Sequence, residues 1–331
     1  MDFALTPEQE LLRDTARTLL GNECPTTMLR AHIDDPSAAD ALDDQLSEFA
    51  GLATGACGDL FVFTEELGYV AAPGRFFPTI ALAAPVLDAA RDERLDGVLA
   101  GEATATLAVA GADGMHLPNA DPVKTFVPEA DRVDWIVVVD AGPRVRVVAP
   151  GDADLRPVET VDFSRRMFEV AAAGSGKPVD ADTLADAIAR ATAALAAEMV
   201  GTARRLFDMA LAYAKERIQF DVPIGSFQAI QHKLAECSLA VERAVAAAQY
   251  ASIALDADDA DRHRAIHVAK AAAGNAVTRA AKDAAQVHGG IGYTWEHDLH
   301  LFLRHAYGSE HWMGTTAWHH DRLADLLLGA A

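Results

Sequence analysis

The sequence predicts a mainly α-helical protein in which a small antiparallel β-domain separates two helical regions. Toward both ends of the chain, apolar residues recur at three- and four-residue steps over long stretches. Between about 104 and 172 that period gives way to short β-prone runs punctuated by Gly, Pro and Asp. The length of 331 residues, 51% of them hydrophobic, is enough for two or three domains and a large core. The expected division is an N-terminal helical domain over 1–103, a β-domain over 104–175 and a C-terminal four-helix bundle over 176–331.

The first helix is announced by Thr6-Pro7-Glu8-Gln9, with Thr6 as N-cap, Pro7 at the first helical position and Gln9 closing a capping box. Leu11, Leu12, Ala16, Leu19 and Leu20 give it one apolar stripe. Helical pieces continue to about residue 100, broken at Gly51, Gly55, Gly58 and Pro73-Gly74. The expected strands are Thr104–Val109, Val123–Val127, Trp135–Val139 and Val145–Val148. From about 181, Leu184, Ile188, Ala191, Leu195, Met199, Leu206, Met209 and Tyr213 line one face of a long helix. A second helix carries Phe227, Ile230, Leu234, Val241 and Val245, and a third spans about Asp261 to Val287. Their many Ala residues permit the close approach of an up-down bundle.

A net charge of −21 argues against nucleic acid or an anionic membrane as partner. Three cysteines, Cys24, Cys57 and Cys237, fit small buried side chains in a reduced compartment rather than a disulfide framework. No apolar run is long enough to span a bilayer and no basic-apolar signal pattern opens the chain, so a cytoplasmic location is expected. His305, His311, His319 and His320 lack a matching set of carboxylates and read as helix-surface histidines, so no metal site is expected.

The most informative stretch is Arg217-Ile-Gln219-Phe220-Asp-Val-Pro223-Ile-Gly225-Ser-Phe227-Gln228-Ala-Ile-Gln231. Arg217 offers a fork of donors suited to a diphosphate, and Phe220 and Phe227 offer flat faces. Pro223 and Gly225 fix a turn, and Ser226 is placed to cap the next helix. By itself the stretch reads equally well as a helical hairpin with core aromatics. It resembles the signature of the acyl-CoA dehydrogenase family, and a second family-like motif follows at Gln286-Val-His-Gly289-Gly290-Ile-Gly292-Tyr293. The opening Met1-Asp-Phe-Ala-Leu-Thr-Pro-Glu-Gln, Thr64-Glu65-Glu66-Leu67-Gly68 and Asp162-Phe-Ser-Arg165-Arg166 are similar to family phrases as well.

This resemblance implies a flavoenzyme fold and FAD held at a subunit interface. Carried over, Arg217, Gln219, Phe220 and Phe227 fall on one contact to the ADP end of the flavin, and Gln286, Gly289 and Gly290 on a second. Asp221 stands where the family usually has Gly. Other family features are missing. The stretch Val109-Ala-Gly111-Ala-Asp113-Gly114-Met115-His116 lacks the hydroxyls that engage flavin and substrate, and Phe126-Val127-Pro128 replaces a hydroxyl-bearing motif facing the ring. Ala53–Gly58 shortens a loop bordering the family's acyl pocket. The α-proton of an acyl-CoA thioester must be taken by a positioned carboxylate. Met313 and Ala191 occupy the family's two usual Glu positions, so no catalytic residue is expected in this chain. Glu310, Glu198, Glu296 and His297 are nearby substitutes, although an exposed Glu is more often solvated surface.

The pattern resembles the smaller subunit of heterotetrameric (α2β2) bacterial acyl-CoA dehydrogenases of sterol side-chain degradation. That resemblance implies a larger partner subunit carrying the catalytic Glu, an acyl-CoA substrate such as a steroid side-chain thioester, and an electron-transfer acceptor. The alternatives are a self-sufficient homo-oligomeric dehydrogenase with Glu310 or Glu198 as base, and a flavin-free scaffold or acyl-CoA-binding protein.

Overall fold

The computed structural model describes residues 3–329; Met1 and Asp2 of the family-like opening phrase lie outside the described residues. Helices α1 (Pro7–Glu23), α2 (Thr26–Asp34), α3 (Asp40–Leu46), α4 (Cys57–Val70), α5 (Ala84–Ala89) and α6 (Arg94–Leu99) come first. Strands β1 (Ala105–Ala108), β2 (Val123–Pro128), β3 (Trp135–Asp140), β4 (Arg144–Val148), β5 (Ala153–Val158), β6 (Met167–Ala172) and β7 (Lys177–Pro178) follow. Then come α7 (Ala181–Glu216), the short strands β8 (Ile218–Gln219) and β9 (Val222–Pro223), α8 (Gln228–Asp256), α9 (Arg262–His288), α10 (Leu299–His311) and α11 (Thr316–Leu328).

The capping box forms as the sequence predicts. Gln9 N donates to Thr6 Oγ1 and Thr6 N donates to Gln9 Oε1, each at 3.2 Å. The middle region holds two small sheets, ordered β1-β3-β4-β7 and β2-β6-β5. Their pairings are antiparallel except β1 with β3, which is parallel in the register Ala105 to Trp135. Strand β3 is apolar on both faces for a structural reason. Ile136 and Val138 pack between the sheets, while Val137 and Val139 join the main helical core. Strands β5 to β7 escape the sequence pattern. β5 is an edge strand, largely solvated and interrupted by Pro157, which an edge tolerates.

Helix α7 is the axis of the molecule, buried against α4, α8, α9 and α10. Its crossing with α4 is as close as two backbones allow. A Cβ at Gly68 would lie 1.8 Å from Glu198 O, and a Cβ at Gly201 would lie 1.8 Å from Glu65 O. Glycine on both helices is therefore a packing requirement. The chain runs up, down and up through α7, α8 and α9. Arg262 meets Asp186 at one end (2.9 Å), while Tyr213 meets His288 and Lys233 meets Asp283 (3.0 Å) at the other. That topology brings the C-terminal ends of α7 and α9 and the start of α8 to the same end of the bundle.

Candidate functional site

At that end, α7 stops at Arg217, whose N–H donates to Tyr213 O at 2.9 Å. The chain reverses through a two-residue hairpin in which Ile218 pairs with Pro223 and Gln219 with Val222. Phe220 and Asp221 form the tip with φ of 53° and 65°. A tight turn of this hand needs positive φ at both central residues, and Asp is one of the few side chains that tolerate it. Asp221 thus keeps the conformation that a Gly would adopt there. Phe220 is 88% exposed and meets Phe227 edge-on with ring centroids 6.2 Å apart. They are solvated rather than core aromatics. Among the described residues no carboxylate pairs with the Arg217 guanidinium. Ser226 does not cap α8. Its Oγ donates to Pro223 O at 2.8 Å because a 3₁₀ turn over Ile224–Ser226 draws it back, and Phe227 takes the N-cap without a side-chain bond.

The second motif sits beside the first. Tyr213, one turn before Arg217, stacks on His288 at 4.3 Å, and His288 immediately precedes Gly289. Gly289 has φ 66° and ψ −145°, a conformation that essentially only glycine holds. Among the described residues, and apart from the adjacent ones, no heavy atom lies within 4 Å of where a Cβ on Gly289 or Gly290 would stand. Gln286 is exposed on the last turn of α9. The bundle end therefore presents open backbone, an unpaired guanidinium, two exposed phenyl rings and the uncapped first turn of a long helix, whose N–H groups favour anions.

Met313 lies elsewhere, in the turn between α10 and α11. It is buried with φ 55°, followed by Gly314 at φ 97°. Three groups hold this turn. Lys270 Nζ, fully buried on α9, donates to Glu310 O (3.1 Å) and Gly314 O (2.9 Å). Glu310 Oε1 accepts from Thr316 N at 3.0 Å. His319 Nε2 bonds Met313 O at 3.1 Å, and His319 Nδ1 lies 2.8 Å from His267 Nδ1. A carbonyl only accepts, so the proton sits on His319 Nε2. Nδ1 of the neutral ring then accepts from His267 Nδ1–H. Burial drives both rings to neutrality, taking His319 down to about 3 and His267 to about 4.

Below this turn is a cavity of about 440 Å³ between the 115–118 loop and α7, α9 and α11, with Met313, Ile188 and Thr192 on its walls. None of its lining residues is Asp or Glu. Ala191 is fully buried in α7. A second cavity of about 430 Å³ lies against the β-sheets, lined by Phe126, Met167, Arg165, Tyr307 and Trp312. His116 borders both cavities, and burial lowers its imidazole to about 3. Pro128, the last residue of β2, brings no N–H and no hydroxyl to this region.

Glu198 is not a surface carboxylate. It is fully buried and accepts from Arg165, whose Nη1 donates to Ser309 Oγ at 2.9 Å and whose guanidinium lies 4.8 Å from the Trp312 ring centroid. His305 and His319, expected on helix surfaces, are also buried, at 0% and 1% exposure, whereas His311 and His320 are exposed. His305 Nδ1 sits 3.0 Å from Asp162 Oδ2 and 2.8 Å from Ser164 Oγ, and its Nε2 faces Glu198 at 3.7 Å. Burial alone would raise the Asp162 carboxyl, but His305, Arg165 and Ser164 hold it well below the usual range. This is a closed charge network under the second cavity, with Arg165 facing it. Of the important residues, Lys270 and His267 gave little sequence signal, since their partners Glu310, Gly314 and His319 are remote in the chain. Glu198 carried one, three positions after Leu195 on the apolar face of α7.

Among the described residues no group of three or more His, Cys, Asp or Glu is arranged to hold a metal. No helix among them is long and apolar enough to cross a membrane.

A family model, "Acyl-CoA dehydrogenase, C-terminal domain", matches residues 182–328. Acyl-CoA dehydrogenase IpdE2 of Mycolicibacterium smegmatis is 30% identical over 326 residues, covering 94% of this chain and 96% of that one. The ChsE4-ChsE5 complex from Mycobacterium tuberculosis contains a chain that superimposes with a TM-score of 0.88 at 22% identity, over 99% of both chains. A chain of the Tcur3481-Tcur3483 steroid ACAD, in its G363A variant, gives 0.86 at 25% identity over 98% of both.

Proposed function

This chain belongs to the acyl-CoA dehydrogenase family, and on that premise we propose that it is a base-less subunit of a heteromeric, flavin-dependent acyl-CoA dehydrogenase. The observation that carries the reading is the cavity at Met313, whose walls hold no carboxylate. Removing an α-proton from a thioester needs such a group at hydrogen-bond distance. Glu198 is committed to Arg165, and Glu310 to Thr316 N, so neither substitutes for the missing base. The larger partner subunit supplies it.

The fit to FAD is uneven. The bundle end suits the ADP half. Arg217 would meet the diphosphate, the open backbone at Gly289 and Gly290 admits phosphate where a Cβ would block it, and Phe220 and Phe227 offer surfaces for adenine. Gln219 and Gln286 would complete the contact. The ring half fits less well, since Pro128 and the 109–116 stretch bring no hydroxyl donors and only Thr160 and Thr315 put hydroxyl-bearing side chains other than Tyr307 on the wall of the second cavity. A flavin bound there would supply the hydride acceptor for the substrate β-carbon, and Arg217, Gly289 and Gly290 would hold its nucleotide tail. The two solved relatives, a ChsE4-ChsE5 complex and a steroid ACAD, favour a heteromeric assembly acting on a bulky acyl group.

The test is co-expression with an adjacently encoded larger dehydrogenase and a count of flavins per complex. Arg217→Ala is expected to strip flavin from the complex without dissociating it. Yellow, active protein from this chain alone would overturn the proposal, and full flavin occupancy in the Arg217→Ala complex would favour a scaffold.

A further inference from the structure

Gly289 and Gly290 have no side chains with which to hold their own backbone in place, and the space around their Cβ positions is open. What anchors them is the residue before them. His288 closes α9 and is 5% exposed. Its Nδ1 lies 2.9 Å from Ala284 O, and since a carbonyl only accepts, that nitrogen carries the proton. Tyr213 on α7 stacks on the imidazole, with ring centroids 4.3 Å apart and planes 23° from parallel. His297 meets the same ring edge-on at 4.8 Å and is itself held, because its Nδ1 accepts from Leu299 N at 3.1 Å. The turn over Gly289–Tyr293 closes on this side chain: a Cβ at Gly292 would stand 3.1 Å from His288 Cβ.

We propose that Tyr213 is the positioning residue of the nucleotide clamp: by stacking on His288 it sets where the backbone of Gly289 and Gly290 stands relative to Arg217. This rests on the subunit reading above and names a residue on which that site depends. The two motifs are remote in sequence, and Tyr213 belongs to both. Its carbonyl accepts from Arg217 N at 2.9 Å, and its ring carries His288. An aromatic pair is a modest attraction, but here it acts on a backbone whose own residues offer nothing to grip. The Tyr213 hydroxyl makes no hydrogen bond among the described residues, so the ring does the positioning.

FAD titration of the co-purified complex, followed by flavin fluorescence, tests this. Tyr213→Leu should weaken FAD about three- to tenfold, whereas Tyr213→Phe keeps the stack and should match the wild type. The main-chain bond to Arg217 survives both changes. His288→Leu removes the same stack from the other helix, should give the same loss, and serves where Tyr213→Leu does not fold. Packing alone would not couple Tyr213 to the effect of a methyl group on Gly289. Gly289→Ala should therefore cost at least about threefold less in the Tyr213→Leu background than in the wild type, because the motif is already displaced there. Arg217→Ala should cost the same in both. Unchanged affinity in Tyr213→Leu and His288→Leu, equal losses in Tyr213→Phe and Tyr213→Leu, or simple additivity with Gly289→Ala overturns the inference. Full flavin occupancy in the Arg217→Ala complex would overturn the subunit reading beneath it, and this inference with it.

Discussion

His319 Nε2 donates to the carbonyl of Met313 across 3.1 Å, fixing the backbone at the position where the family resemblance expects a glutamate. Because that bond is to the main chain, it survives a change of side chain. Met313→Glu is expected to give no dehydrogenase activity to this chain alone and to leave turnover of the complex within about twofold. Dye-reduction assays on both preparations decide it, and activity in the isolated variant would contradict the proposed division of labour.

Lys270 is the second support of the same turn. Burial holds its ammonium at about 7, against an ordinary 10.5. From about pH 7 to 10.5 the unfolded chain therefore binds more protons at this residue than the folded chain, and stability rises with pH across that window. Between about pH 7.5 and 8.5 the native protein should gain up to about 1.4 kcal/mol from this group. Urea unfolding of Lys270→Met should lack that increment; parallel slopes in the two proteins would refute the burial of the charge.

On the acid side, His116, His267 and His319 are held at about 3, 4 and 3 by burial, below an ordinary 6.5. As pH falls from about 6.5 the unfolded chain takes up these protons first, so stability is lost. Glu129, raised by burial to about 7, opposes the trend as the pH falls toward its ordinary 4.5. With His32, His288 and His300 also lowered by burial, six imidazoles oppose three carboxyls raised by burial, Glu129, Glu65 and Asp43. The unfolding temperature should drop between about pH 6.5 and 4.5, and His116→Phe should flatten that drop.

The hairpin tip separates stability from binding. Asp221→Gly removes the cost of a left-handed non-glycine residue and should stabilise the chain by about 0.5–1 kcal/mol in urea unfolding. Phe220→Ala, at an exposed ring, should change stability by less than about 0.5 kcal/mol while lowering the flavin content of the complex.

Gly68→Ala places a methyl group inside the van der Waals radius of Glu198 O. Neither backbone can retreat, so a loss of about 3 kcal/mol or more is expected in urea unfolding. A near-neutral result would mean that α4 and α7 slide apart easily.

Much of this architecture was legible locally. The capping box at Thr6 and Gln9 and the apolar face of α7 are short-range patterns, read by the same rules that form them. The Phe220-Asp221 tip was recognisable as part of a motif, but its left-handed backbone explains why Gly is the usual residue there. What escaped reading is non-local. Arg165 and Glu198 are brought together only when the β-sheets dock on α7. Lys270 looks like any lysine in an Ala-rich helix until the turn after α10 closes over it. Strand β5 escaped because the alternation Ala153-Asp154-Leu155-Arg156 is short and ends at Pro157.

The hairpin at the bundle end leaves Phe220 88% and Ile218 59% exposed, and Tyr293, after the glycine motif, is 71% exposed. Large aromatic surface in water invites self-association. On the heteromeric assembly proposed above, chain made in excess of its partner should self-associate through this end, which would call for matched synthesis of the two.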